Sequence, residues 1–102
     1  MFAMHTAERV IATLRAHEAE SRQAGLRSLS LFGSVARGES ETDSDIDLAA
    51  EFDPAARMDL LQLTALERRI AELLGRRVDL LPEPVGKHRL QDQINRDRRR
   101  AF

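Results

Sequence analysis

Hydrophobic positions along this chain change their period several times, and each change marks an element. From Thr6 to Ala24 the apolar residues Val10, Ile11 and Leu14 recur at helical spacing, with Thr6 as N-cap and Gly25 as stop. Leu29 to Phe32 is a short apolar run before a Gly-Ser pair and predicts a buried strand. Ile46 to Phe52 predicts a second strand, ended by Asp53-Pro54. The clearest helical signal runs from Asp59 to Leu74. There Leu63, Leu66, Ile70, Leu73 and Leu74 form a stripe expected to be core, and Gly75 ends it. Arg77 to Leu81 predicts a third, interior strand closed by Pro82, and a last helix from about Lys87 carries Leu90 and Ile94. It finishes in the cluster Arg96, Arg98, Arg99 and Arg100. A helix between the second and third strands predicts a parallel or mixed sheet. The expected fold is α/β (α+β): a small mixed sheet of about three to four strands covered by helices, in a single domain over residues 1–102.

Composition narrows the function classes. With four Phe and no Trp or Tyr, the chain has no base-stacking platform, and a net charge of −1 creates no general attraction for nucleic acid or anionic lipid. Direct nucleic-acid binding and membrane association are therefore not expected. The absence of cysteine excludes disulfides and thiolate metal sites. The N-terminal stretch MFAMHTAERV has no long apolar run, so neither a signal peptide nor a membrane span is expected, and the expected location is cytoplasmic. His5, His17 and His88 are scattered and expected to face solvent.

The chemistry concentrates in Gly33-Ser34-Val35-Ala36-Arg37-Gly38 and in Asp43-Ser44-Asp45-Ile46-Asp47-Leu48. Asp45 and Asp47 lie two apart at a strand start, so their carboxylates point the same way. Such neighbours repel unless a hard divalent cation lies between them, and oxygen ligands suit Mg²⁺. Asp79 sits among Val78, Leu80 and Leu81, where an unpaired carboxylate is costly. If its strand lies beside the first pair, three carboxylates meet on one sheet edge and can hold two Mg²⁺ ions for phosphoryl or nucleotidyl transfer. Gly33 lets backbone approach a phosphate, a side chain there would block that approach, and the Ser34 hydroxyl can donate to it.

Other readings of these residues stand beside this one. Gly33 to Ser40 is one residue from a P-loop, but Glu39 replaces the phosphate-binding Lys. Asp43, Asp45 and Asp47 imitate an EF-hand start, but its turn glycine is missing and Pro54 stands where the bidentate Glu belongs. Alone, Asp43 to Asp47 reads as a solvated acidic loop, with Asp43 itself as a turn residue. Asp79 can pair with Arg76 or Arg77, and Arg37 can meet a phosphate or pair with Glu39 or Glu41. The Arg96 to Arg100 cluster reads first as a solvated end, and otherwise as a partner surface or RNA contact.

GSVARG followed by SDIDL, with the later RVDLL, resembles the signature of the minimal nucleotidyltransferases, or MNT domains, of the DNA polymerase β-like superfamily. The resemblance runs from the first helix to the last. It implies the polymerase β-like fold, ATP as nucleotide donor, two Mg²⁺ ions and transfer of AMP. It places Gly33 and Ser34 at the phosphates; Arg37, on its own reading, is a further candidate contact to the nucleotide. Asp45, Asp47 and Asp79 become the catalytic metal-binding triad, and Asp79 helps activate the acceptor hydroxyl. It also implies a partner, since such proteins are commonly encoded with a HEPN ribonuclease toxin that they neutralise as antitoxins. The expected acceptor is a hydroxyl of that toxin, a tyrosine, in a hetero- or homo-oligomer. Two alternatives remain: a non-catalytic antitoxin that acts by binding, and nucleotidylation of a small molecule such as an aminoglycoside.

Overall fold

The computed structural model describes residues 6–39 and 44–102. Five helices and four strands follow in the order α1 (Thr6–Ala16), α2 (Glu18–Gln23), β1 (Leu26–Phe32), α3 (Gly33–Ala36), β2 (Ile46–Phe52), α4 (Leu60–Leu74), β3 (Val78–Pro82), α5 (His88–Asp97) and β4 (Arg99–Arg100). A single 3-10 turn, Pro54–Ala56, follows β2. The strands form one mixed sheet in the order β3-β2-β1-β4. β1 runs antiparallel to both β2 and β4, while β2 and β3 are parallel and joined through α4, as the helix between them requires. The expected fold class is therefore the observed one.

Strand alternation divides the side chains between two faces. Leu29, Leu31, Ile46, Leu48, Ala50 and Leu80 pack against α1 and α4 in the main core. On the other face Phe32 and Ala49 pack with Ile94 of α5. α4 is built as its sequence dictates. The Asp59 side chain accepts from Gln62 N at 2.7 Å, the Gln62 side chain accepts from Asp59 N at 3.0 Å, and Gly75 ends the helix with φ 66°.

Several expectations need correction. The first helix is two helices, because His17 (φ −109°, ψ 20°) leaves helical geometry between them. His17 is also half-buried, with Nδ1 3.7 Å from Glu20 Oε2, whereas His88 is exposed and His5 lies outside the described residues. The leucine stripe of α4 is core except at one position: Leu66 and Ile70 are buried, Leu63 and Leu74 pack against them half-buried, and Leu73 is exposed.

The terminal arginines are a solvated end only in part: Arg96 and Arg100 are exposed, Arg98 and Arg99 half-buried. Arg99 and Arg100 form β4, and Arg98 makes a bidentate bridge to Glu83, Nη1 to Oε1 at 2.9 Å and Nη2 to Oε2 at 2.6 Å. Arg98 also donates to Ser30 Oγ at 3.1 Å, and Gln91 adds a bond to Glu83 at 2.8 Å. This network ties α5 to the sheet.

β3 is an edge strand rather than an interior one, which changes the setting of Asp79. The Arg77 carbonyl and the Glu83 N–H bond to β2, so Val78, Leu80 and Pro82 turn their backbone groups outward. Glu67 of α4 accepts the outward Leu80 N–H at 2.9 Å.

Candidate active site

Three carboxylates come together at one end of the sheet. Asp47 and Asp79 are register partners across the parallel β2–β3 ladder, so their side chains share a face. Asp45 lies two residues before Asp47, just ahead of β2. Across the antiparallel ladder Asp47 stands opposite Phe32, the last residue of β1, which delivers Gly33 beside it. A Cβ placed on Gly33 would lie 2.3 Å from Asp47 Oδ2, and φ is +78° there. Only glycine satisfies both conditions. Gly33 has a reason nearer than the approach of a phosphate, because any side chain at 33 strikes the Asp47 carboxylate first.

The half-buried Asp47 carboxyl is held above the usual carboxylate range. Burial is the main cause, followed by the negative charges of Asp79 and then Asp45, while the Arg37 charge opposes them only weakly. The charged form of this group lacks a sufficient local cation.

Asp45 turns to Arg77, with Arg77 Nε 3.2 Å from Asp45 Oδ1, in a pair that is 49% exposed at Asp45 and 84% at Arg77. Arg77 thus serves Asp45 rather than Asp79, and an Arg76 guanidinium nitrogen donates to the Ser44 carbonyl. Asp79 is exposed at the sheet edge. Among the described residues, no group of three or more acidic, histidine or cysteine side chains is arranged as it stands to hold a metal ion. An open groove beside the pair is lined by Asp45, Asp79, Thr64, Glu67, Arg68 and Arg77.

Ser34 is half-buried in α3, and its carbonyl accepts from Glu39 N at 2.9 Å. Arg37, on the turn after α3, donates through Nε to Glu39 Oε2 at 3.0 Å and through Nη1 to Asp97 Oδ2 at 2.6 Å. The pairing with Glu39 is one of the two readings open from sequence; Glu41 and Asp43 lie outside the described residues. Asp97 was not anticipated. One signal for it existed, since an acidic residue closing a helix opposes the helix dipole and calls for a cation from elsewhere in the fold.

Residues 16–100 match the family model described as polymerase beta nucleotidyltransferase. The chain is 41% identical over 96 residues to the protein adenylyltransferase MntA of Thermococcus cleftensis, a match covering 93% of this chain and 95% of that protein. It is similar to a solved minimal nucleotidyltransferase with a TM-score of 0.76 and 33% identity, covering 97% of this chain and 98% of the other. A chain of a mutant MntA toxin–antitoxin complex aligns with a TM-score of 0.64 and 25% identity, covering 93% of this chain and 70% of that one. No helix among the described residues is long and apolar enough to cross a membrane. Sequence and fold agree: the chain belongs to the polymerase beta nucleotidyltransferase family and is one of its minimal, MntA-like enzymes.

Proposed function

We propose that residues 1–102 act as one minimal domain that transfers AMP from ATP to a hydroxyl, a tyrosine, on a HEPN-type toxin partner in the cytoplasm, and so serve as its antitoxin. The observation that carries this reading is the register of Asp47 with Asp79, which sets two carboxylates side by side next to Gly33. The adenylyltransferase and toxin–antitoxin names of the relatives support the reaction and the partner class.

The donor set fits a hard divalent cation. Three carboxylates crowd one sheet end, and Asp47 is strained toward its protonated form by burial and by the other two. Releasing Asp45 from exposed Arg77 costs little, because surface ion pairs contribute about 0–1 kcal/mol. Asp45, Asp47 and Asp79 would therefore hold Mg²⁺, two ions by family resemblance, which when bound neutralises the phosphates and polarises them for attack. The chain's own groups do the rest. The Gly33 backbone and the Ser34 hydroxyl orient the triphosphate, and Arg37 adds charge near it. Asp79 takes the acceptor proton on a carboxylate oxygen as that hydroxyl oxygen bonds to the α-phosphorus. The bond from that phosphorus to its bridging oxygen breaks, and pyrophosphate leaves. Exposure of Asp79 at the sheet edge suits an acceptor that arrives on another macromolecule.

Co-expression with a HEPN-type toxin from the same genome, followed by intact-mass measurement and growth scoring, tests the proposal. Wild type is expected to add one or more AMP masses to the toxin and to protect the cells. Asp79→Asn is expected to lose transfer by about two orders of magnitude or more, and protection with it. Full protection by an Asp79→Asn protein that transfers no AMP would establish the binding-only antitoxin instead.

A further inference from the structure

We infer that Asp97 is a positioning residue of the nucleotide site: it holds the Arg37 guanidinium beside the carboxylates, available to a triphosphate, and keeps it from collapsing onto Asp47. The inference rests on the nucleotidyl-transfer reading above, since it needs a triphosphate at Asp45, Asp47 and Asp79.

Arg37 has a long side chain and caps the single helical turn that Gly33 begins against the Asp47 carboxylate. An unrestrained guanidinium in that place would take the best bidentate carboxylate within reach, and the crowded trio offers it. Such a pair would occupy the oxygens that the site needs for its cation. Arg37 has two partners, and Glu39, two residues on along the same turn, is 63% exposed. Asp97 is only 10% exposed and lies 2.6 Å away.

The anchor under Asp97 is rigid. Ile94, one helical turn before it, is fully buried with Phe32 and Ala49, and Arg98 after it is bridged to Glu83. Asp97 also closes α5, where the helix dipole disfavours an anion, so its own helix gives no reason for its charge. The compensating cation comes from 60 residues away. A guanidinium has several N–H donors in a fixed fork, and Arg37 commits only Nε and Nη1. The remaining donors stay available for phosphate oxygens. The last helix thus helps set the donor site 60 residues earlier in the chain.

Calorimetric titration with Mg-ATP and thermal melting of the whole chain test this in wild type and in Asp97→Asn, Asp97→Glu, Arg37→Gln and the Arg37→Gln/Asp97→Asn pair. Asp47→Ala serves as the control for the site itself. Asp97→Asn should weaken Mg-ATP binding by roughly tenfold or more while keeping a cooperative melt. Asp97→Glu should recover part of that loss. In the Arg37→Gln background, Asp97→Asn should bring no further loss, because its effect passes through Arg37. Wild-type affinity in Asp97→Asn, or losses that simply add in the pair, overturns the inference while binding that depends on Asp47 leaves the enzyme reading standing. Absence of Mg-ATP binding in wild type overturns both. Should Asp97→Asn fail to melt cooperatively, Arg37→Gln carries the test, and unchanged affinity there overturns the inference equally.

Discussion

At the scale of single residues, Gly33 and Asp47 act as one unit. The glycine leaves β1 in left-handed geometry and lies against the carboxylate, so each fixes what the other can be. Gly33→Ala should therefore injure both stability and the site. The conformational strain alone is about 1–2 kcal/mol, and the new methyl would displace the Asp47 carboxylate. A lowered melting temperature together with lost Mg-ATP binding is expected; a variant that melts and binds like wild type would show that the backbone tolerates a side chain there. The acidic positions stood out in sequence because Asp45 and Asp47 lie two apart at a strand start and because Asp79 interrupts an apolar run. It did not make the contacts of the trio legible. Which cation meets which carboxylate depends on register, and nothing local says that Arg77 serves Asp45 or that Arg37 reaches Asp97.

At the scale of elements, the helix with the strongest local signals was the most legible. α4 has its capping box, its periodic leucines and its glycine stop in contiguous sequence. β4 carries no such signal, since two arginines become a strand only because Ser30 and Leu31 of β1 stand opposite them. The edge position of β3 was hidden for a related reason: an apolar pentapeptide looks the same at the rim of a sheet as inside it. The seating of α5 depends on another unforeseen feature, the Glu83–Arg98 bridge.

That bridge carries a pH signature. Arg98, followed by Gln91, holds the Glu83 carboxyl below its usual range against the opposing effect of burial. A depressed carboxylate contributes stability that is present above its unfolded pKa of about 4.3 and is lost as pH falls through its folded value. Glu83→Gln should cost about 1–3 kcal/mol near neutrality. The gap between variant and wild type should close as pH drops below about 4. The measurement is chemical denaturation at stepped pH, and a gap that stays constant down to the acid limit would remove Glu83 as its source. Asp47 titrates with the opposite sign, since its raised pKa makes the ionised form a burden on the fold, so the difference between the two proteins is the informative quantity.

At the scale of the whole molecule, the sheet concentrates its charge at one end and its apolar mass beneath α1 and α4. The last helix and the short third one are linked through Arg37 and Asp97, a contact between residues 60 apart in sequence. The rim of the sheet has a consequence of a different kind. An unpaired strand edge is a template on which other polypeptides can stack. Along β3 two of the three outward positions offer no donor: Leu80 gives its N–H to Glu67, and Pro82 has none. Crowded copies, as on a translating polysome, thus find almost no ladder to extend, and a macromolecule that comes to Asp79 must be read by its side chains rather than by backbone pairing. Glu67→Leu reopens the rim. It should raise concentration-dependent light scattering on prolonged incubation while the fold persists, and scattering no greater than wild type would mean that this edge is quiet without the carboxylate that covers it.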